Sequence, residues 1–161
     1  MRIDVTQVIG VPRARVAEAL VDPAWYASIE TRPTLGAPEP LLLQVLDDVV
    51  HTAVRWRYAG TLPSAASRFI DADRLTWVIE ARLALATFTG SIHVVPDHYE
   101  GLLSCEASLV LDDDDGATLE RVSGALEVKV PLFGDAVERA IATAFEEHLL
   151  AEAGALERYC A

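Results

Sequence analysis

The strongest constraint on this chain is a change of period. From residue 2 to about residue 130, apolar residues recur at every second position in a series of short segments; from residue 135 they recur at every fourth. A period of two belongs to a strand with one buried face, and a period near 3.6 to an amphipathic helix. In the first segment Ile3, Val5 and Ile9 alternate with Arg2, Asp4 and Thr6. In the last, Val137, Ile141, Phe145 and Leu149 are spaced four apart, with Ala140, Ala144 and Leu156 beside them, which predicts a helix over 135–159. Gly134-Asp135 followed by Glu138 reads as an Asp N-cap with its capping-box partner. Many half-buried strands and one long helix have a simple joint solution: the helix lays its stripe across one face of the sheet.

The segments between follow the same logic. Gly10 ends the first strand, and Pro12 suits the first turn of a short helix whose apolar face is Val16, Ala19 and Leu20. Asp22-Pro23 reads as the N-cap and first position of a second short helix carrying Trp25, Tyr26 and Ile29. Thr31 to Pro40 holds three prolines and a glycine and is a loop. Leu41 to Val50 reads as a strand of ambiguous phase. Clear alternation then places Val54, Trp56 and Tyr58 on one face of a strand, and Leu75, Trp77, Ile79 and Ala81 on the next. Further strands carry Phe88, Gly90, Ile92 and Val94; Leu103, Cys105, Ala107 and Leu109; and Val122, Gly124, Leu126, Val128 and Val130. Ser64 to Ile70 reads as one or two helical turns. Short joints favour antiparallel pairing, with one face covered and the other wet.

The expected fold class is therefore α+β: a curved antiparallel sheet wrapped around a long C-terminal helix, with two short helices after the first strand. A long sheet twists and curls as it grows. One helix cannot fill the whole concavity, so an apolar pocket is expected between helix and sheet.

At 161 residues the chain reads as one domain, 1–161. The formal net charge of −12 makes nucleic acid or an anionic membrane a poor partner. Two cysteines, Cys105 and Cys160, form no disulfide framework and suggest a reducing compartment. No run approaches the roughly 20 apolar residues of a membrane span, and the start of the chain has no apolar stretch of signal-peptide length. The expectation is a cytoplasmic protein with no membrane span, a monomer or weak homodimer.

Motifs for chemistry are sparse. Asp112 to Asp115 with Gly116 invites a calcium reading, but with Gly116 at position 6 of an EF-hand loop, position 1 is Leu111 and position 12 is Val122. The run reads as a solvated turn. None of the four histidines, His51, His93, His98 and His148, forms H-E-x-x-H or pairs with a cysteine at zinc spacing. His93 falls on the polar phase of its strand. His148 borders the helix stripe, where it is either a partly exposed helix residue or a polar contact at a pocket mouth. Ser123 is not in a G-x-S-x-G elbow. Cys105 reads as a small buried hydrophobe. Arg55 and Arg57 flank Trp56 as an outward pair with acidic partners. No Gly-rich phosphate loop is present. No catalytic residue, metal site or cofactor is expected.

Two stretches carry a family likeness. The first is the opening strand followed by Val11-Pro12, Val16, Leu20 and Asp22-Pro23 with Trp25-Tyr26. The second is GALEVKVPLFGDAVERAI at 124–141, a strand running through Lys129-Val130-Pro131 and a glycine into the closing helix. Together they resemble the helix-grip superfamily of START domains, the birch pollen allergen and polyketide cyclases, the SRPBCC group. With Leu62-Pro63 and Arg68-Phe69 the chain looks like an actinobacterial branch of it, a domain of unknown function. The resemblance implies an apolar ligand cavity and carries over no catalytic residue. The expected function is binding of a lipid, polyketide or similar apolar small molecule. The expected pocket residues are Trp56, Tyr58, Trp77, Phe88, Phe133, Ile141, Phe145, His148 and Leu149. The alternatives are a cyclase or dehydratase using His148 or Tyr58 as acid–base, and a protein-interaction module with no ligand.

Overall fold

The computed structural model describes residues 1–129 and 134–161. The chain runs β1 (Arg2–Ile9), α1 (Arg13–Leu20), α2 (Pro23–Ser28), β2 (Glu39–Leu46), β3 (Val49–Arg57), β4 (Thr76–Ala84), β5 (Thr89–Pro96), β6 (Leu103–Asp114), β7 (Ala117–Val128) and α3 (Gly134–Cys160). Single 3₁₀ turns at Ala66–Arg68 and Ala72–Arg74 interrupt the connection from β3 to β4. The strands form one seven-stranded antiparallel sheet in the order β1-β7-β6-β5-β4-β3-β2. This is the α+β arrangement of antiparallel sheet and long C-terminal helix that the period change predicts.

Register carries the apolar phases across the sheet. Trp56 faces Trp77, Val54 faces Ile79, and Ala81 faces Ile92 on neighbouring strands. Val122 links Val5 of β1 to Leu109 of β6. The inward face and the stripe of α3 make the core, with Ile3, Ile9, Trp25, Leu83, Leu111, Leu126 and Leu156 buried. α3 lies mainly on β1 and β7 and touches α1 and α2. Its C-terminal end is clamped there: the Tyr159 ring tilts onto Trp25 at 5.5 Å between centroids, and its hydroxyl donates to Asp22 at 2.6 Å. The opposite face of the sheet is polar; there Arg55 makes a two-pronged pair with Asp97 at 2.9 and 3.1 Å.

Two strand glycines let the sheet bend. A Cβ on Gly124 would sit 2.2 Å from the Glu106 carbonyl oxygen and 2.6 Å from the Ala107 Cβ. One on Gly90 would sit 1.8 Å from the Arg82 carbonyl oxygen. Neighbouring backbones approach there to a degree that a side chain forbids.

Three local expectations are corrected. Residues 41–50 are not one strand: Asp47 and Asp48, at φ 51° and 57°, form a two-residue turn between β2 and β3. Aspartate tolerates the left-handed region, and a turn with two such residues matches the strand twist. β2 is an edge strand exposed along nearly all its length, so its sequence has no phase to show. Pro40, with a register shift before Leu42, interrupts that edge. Pro12 is the N-cap of α1 rather than a first-turn residue. α3 begins at Gly134, which places Asp135 in its first turn, and Glu138 accepts from the Val128 backbone N–H at 3.1 Å instead of closing a capping box. Asp22 does cap α2, accepting from the Ala24 N–H at 2.9 Å. The aspartate run ends in a tight turn at Asp115-Gly116, with Asp112 paired to Arg121 across the hairpin.

Candidate functional site

Polar side chains occupy positions on each of three apolar phases. On β1 the buried residues are Ile3, Val5, Gln7 and Ile9. On β7, Glu120 lies between buried Thr118 and Val122. On α3, His148 and Glu152 share the face that carries Phe145, Leu149 and Leu156. Gln7 and Glu120 are direct cross-strand partners. The Gln7 Nε2 donates to the Glu120 carboxyl, and also to the Leu149 carbonyl oxygen at 3.0 Å. One amide thus ties β1, β7 and α3 together. Its own carbonyl oxygen Oε1 is buried with no hydrogen-bond partner, and so is His148 Nδ1.

These groups lie beside a cavity of about 90 Å³ between the sheet and α3. α1 contributes Val16 and Leu20 to its wall, and α2 contributes Tyr26. The strands contribute Thr52, Val54, Trp56, Ile79, Ala81, Ile92, Leu109, Leu111 and Glu120. α3 contributes Phe145, His148, Leu149, Glu152, Ala153 and Leu156. The His148 ring meets Trp56 edge-on at 4.7 Å, and its Nε2 lies 3.5 Å from the Glu152 Oε2, one helical turn along. The Glu152 side chain keeps 22% of its surface exposed and His148 12%, so this end of the cavity is the one nearest water.

Burial sets the electrostatics. It pushes the Glu120 carboxyl up to about 7; the Gln7 hydrogen bond pulls it back and the Glu152 charge adds to the rise. It pushes Glu152 up to about 7 as well, against the pull of the Arg32 guanidinium. It lowers His148 to about 4, with Arg32 acting in the same direction. Tyr26 is raised, first by burial and then by the Glu152 charge, and its hydroxyl donates to the Leu20 carbonyl at 2.7 Å. Water contact at Glu152 moderates its shift. At neutral pH the site therefore holds a neutral imidazole beside two carboxyls that exchange protons readily.

Of the residues the sequence points to, Trp56, Phe145, His148 and Leu149 line this cavity. Trp77 faces Trp56 in register and, like Ile141, packs half-buried against the core outside the cavity wall. Tyr58 lies past the end of β3, its hydroxyl donating to the Thr61 carbonyl at 3.2 Å. Phe88 turns the chain between β4 and β5 at φ 53°, under the Arg13 guanidinium at 4.2 Å. Phe133 lies outside the described residues. Sequence reasoning passes over Gln7, Glu120 and Glu152 as site residues, although each breaks an apolar phase that the alternation itself defines.

A larger concavity of about 790 Å³ lies under the segment from Gly60 to Ala72 and beside Tyr99. It is an open trough and holds none of the buried titratable groups, so the enclosed cavity is the better candidate. Among the described residues no group of three or more histidine, cysteine or acidic side chains is placed to hold a metal ion. None of the described helices is long and apolar enough to cross a membrane.

A curved antiparallel sheet gripping one long C-terminal helix, with a cavity between them, defines the helix-grip class. Residues 4–160 match the family described as "Protein of unknown function (DUF2505)", and the chain belongs to that family. Among solved structures, TTHA0849 from Thermus thermophilus is 14% identical over 99% of this chain and 97% of its own, with a TM-score of 0.66. The ZhuI aromatase/cyclase from Streptomyces sp. R1128 is 15% identical over 99% and 93%, with a TM-score of 0.64. Ara h 8.0201 is 16% identical over 99% and 97%, with a TM-score of 0.59. At these identities the likeness establishes the fold alone, the helix-grip fold. No curated protein matches the chain.

Proposed function

We propose that this protein binds a small, largely apolar molecule between the concave sheet and α3, with the molecule's polar group at the Glu120–Glu152–His148 end. The observation that carries this reading is the enclosed cavity itself: apolar on most of its wall, with a few polar groups converging at one end. At about 90 Å³ it is well below the roughly 300–1,000 Å³ of ordinary ligand pockets. The resting cavity suits a compact ligand, and a sterol or polyketide would need α3 to move away from the sheet. The protein would act as one domain, a cytoplasmic monomer or weak homodimer.

A second reading is favoured by one observation, His148 Nε2 lying 3.5 Å from the Glu152 carboxyl in the cavity wall, where burial favours the neutral form of both groups. A protonated Glu152 as acid and His148 as base would suit a cyclisation or dehydration. The aromatase/cyclase among the structural neighbours is consistent with that chemistry on this fold. Tyr58, the other acid–base residue expected, does not border the cavity.

The test is ligand-induced stabilisation. Saturation at 100 times the dissociation constant adds about 2.7 kcal/mol to the unfolding free energy, and Trp56 fluorescence should shift as the cavity fills. Leu149→Trp should abolish both responses while the protein still folds. If native mass spectrometry finds nothing bound and no compound in a panel of small aromatic and aliphatic molecules raises the melting temperature, the binding reading is wrong.

A further inference from the structure

We infer that the cavity's ligand is an amine: the polar end is built to receive an ammonium group, while the apolar body packs against Trp56, Phe145 and Leu109. This rests on the binding reading above and adds the chemical class of the ligand.

The polar end presents the Glu120 and Glu152 carboxyls; Gln7 stands behind Glu120, bonded to its carboxyl but outside the cavity wall. Gln7 is 9% exposed, and its Oε1 has no partner. His148 Nδ1 is likewise buried and unpaired. When the His148 proton sits on Nε2, toward Glu152, Nδ1 is one more acceptor. Against these acceptors the free donors are few: the Thr52 hydroxyl in the wall, and the Arg32 guanidinium, whose charge acts on Glu152 and His148 from outside the wall. Both Gln7 Nε2 bonds are committed, to Glu120 and to the Leu149 carbonyl. The Tyr26 hydroxyl proton is committed to the Leu20 carbonyl. Among the described residues, neither carboxyl has a lysine or arginine within ion-pair distance; the contact at Glu152 is with His148. The groups that face the carboxyls are Gln7 from β1, Tyr26 from α2 and His148 from α3, with the Arg32 charge acting from the loop before β2.

What is missing is a compact cation with several donors. A primary ammonium brings three N–H donors and the charge that two buried carboxyls lack. An alcohol brings one donor and no charge. A carboxylic acid brings a like charge. An ammonium is attracted to the face of an aromatic ring, and Trp56 and Phe145 stand in the same wall. Because both carboxyls are partly protonated near neutral pH when the cavity holds no cation, seating an ammonium should drive protons off them.

The experiment is calorimetry on the full chain with three isosteric probes: 2-phenylethylamine, 2-phenylethanol and phenylacetate. The amine should bind at least tenfold more tightly than the alcohol, and phenylacetate not at all. Repeating the titration in two buffers of different ionisation enthalpy should show proton release near pH 7. Glu152→Gln and Glu120→Gln should each weaken the amine at least tenfold and the alcohol by no more than threefold, and circular dichroism should confirm that both variants fold. If the alcohol or phenylacetate binds as tightly as the amine, or if the two variants bind the amine as well as the native chain does, the inference is wrong and the cavity reading survives. If none of the three binds, nor any compound of the wider panel, the cavity reading falls and this inference falls with it.

Discussion

Replacing Glu152 with glutamine should change stability in a strongly pH-dependent way. In the unfolded chain a glutamate titrates near 4.5, whereas in the fold Glu120 and Glu152 titrate near 7. Between those values the folded protein holds protons that the unfolded chain has released. Raising the pH through that window removes them and weakens the fold, by at most about 3 kcal/mol per carboxyl. His148 acts in the opposite sense. Its folded value near 4 lies below the unfolded 6.5, so between them only the unfolded chain is protonated. Raising the pH therefore strengthens the fold by about 3 kcal/mol on its account. Two carboxyls outweigh one imidazole, and the net expectation is a loss of about 3 kcal/mol from pH 4.5 to 7.5, steepest a little above pH 6. Water contact at Glu152 makes this an upper limit.

Glutamine keeps the shape of Glu152 and removes the ionisation. At pH 5 the carboxyl is protonated in the fold, so Glu152→Gln should be close to neutral there. At pH 8 the native chain carries an ionised carboxyl in the cavity, and the variant should be more stable by up to about 3 kcal/mol. Urea unfolding at pH 5, 6, 7 and 8 measures both quantities. A protein of net charge −12 also gains self-repulsion as pH rises. The exposed Glu147→Gln removes the same unit of charge outside the cavity and corrects for that. If Glu152→Gln has the same effect at pH 5 and pH 8, or if the native chain is no less stable at pH 8 than at pH 5, the two-carboxyl account is refuted.

Gly124→Ala should destabilise by about 1–3 kcal/mol, as overpacking does, because the new methyl meets the Glu106 carbonyl and Ala107; an unchanged melting temperature would show that the sheet does not depend on this close approach. Phe145→Ala should cost about 1–3 kcal/mol, below the roughly 3–5 of a fully buried phenylalanine, because the ring is only half-buried and borders an existing cavity. A loss of 4 kcal/mol or more in urea unfolding would show that Phe145 is a core residue and not a cavity wall.

The architecture is legible because period is a property of whole segments. Ile3, Val5 and Ile9 fix the inward face of β1 whatever stands between them, and Phe145 and Leu149 fix the stripe of α3. Where a segment has no buried face, the signal vanishes. β2 is exposed along its length, and its turn into β3 uses two aspartates in place of the glycine or asparagine that marks such turns. The sequence therefore misplaces the boundary between the two strands, reading 41–50 as one strand and starting the next near Val54 instead of Val49. The Glu138 contact with Val128 is a different case: local spacing suggests a capping box, but the carboxylate is drawn to a backbone N–H that only the tertiary fold brings near.

The site is a subtler matter, since half of it is written in the sequence in a form that apolar patterning discards. Gln7 stands between Val5 and Ile9, Glu120 stands two before Val122, and Glu152 stands one turn beyond His148 on the stripe of α3. An alternation rule treats each as an interruption. Physically each is a statement about the interior, because a carboxyl or amide on a buried phase costs stability unless something answers it. Gln7 answers Glu120 in part and His148 Nε2 faces Glu152 at 3.5 Å, while Gln7 Oε1 and His148 Nδ1 are left without a partner. Sequence alone does not reveal that β1, β7 and α3 bring these three interruptions to one end of one cavity, because that convergence depends on a cross-strand register and a helix placement. Once the convergence exists, its cost to the empty protein and its fitness for a cationic ligand are the same fact. The groups that most weaken the unliganded fold at neutral pH are those with the most to gain from a bound ammonium. Glu152→Gln should therefore raise stability at pH 8 and lower affinity for the amine together, and a variant that changed one without the other would separate two roles that here rest on one carboxyl.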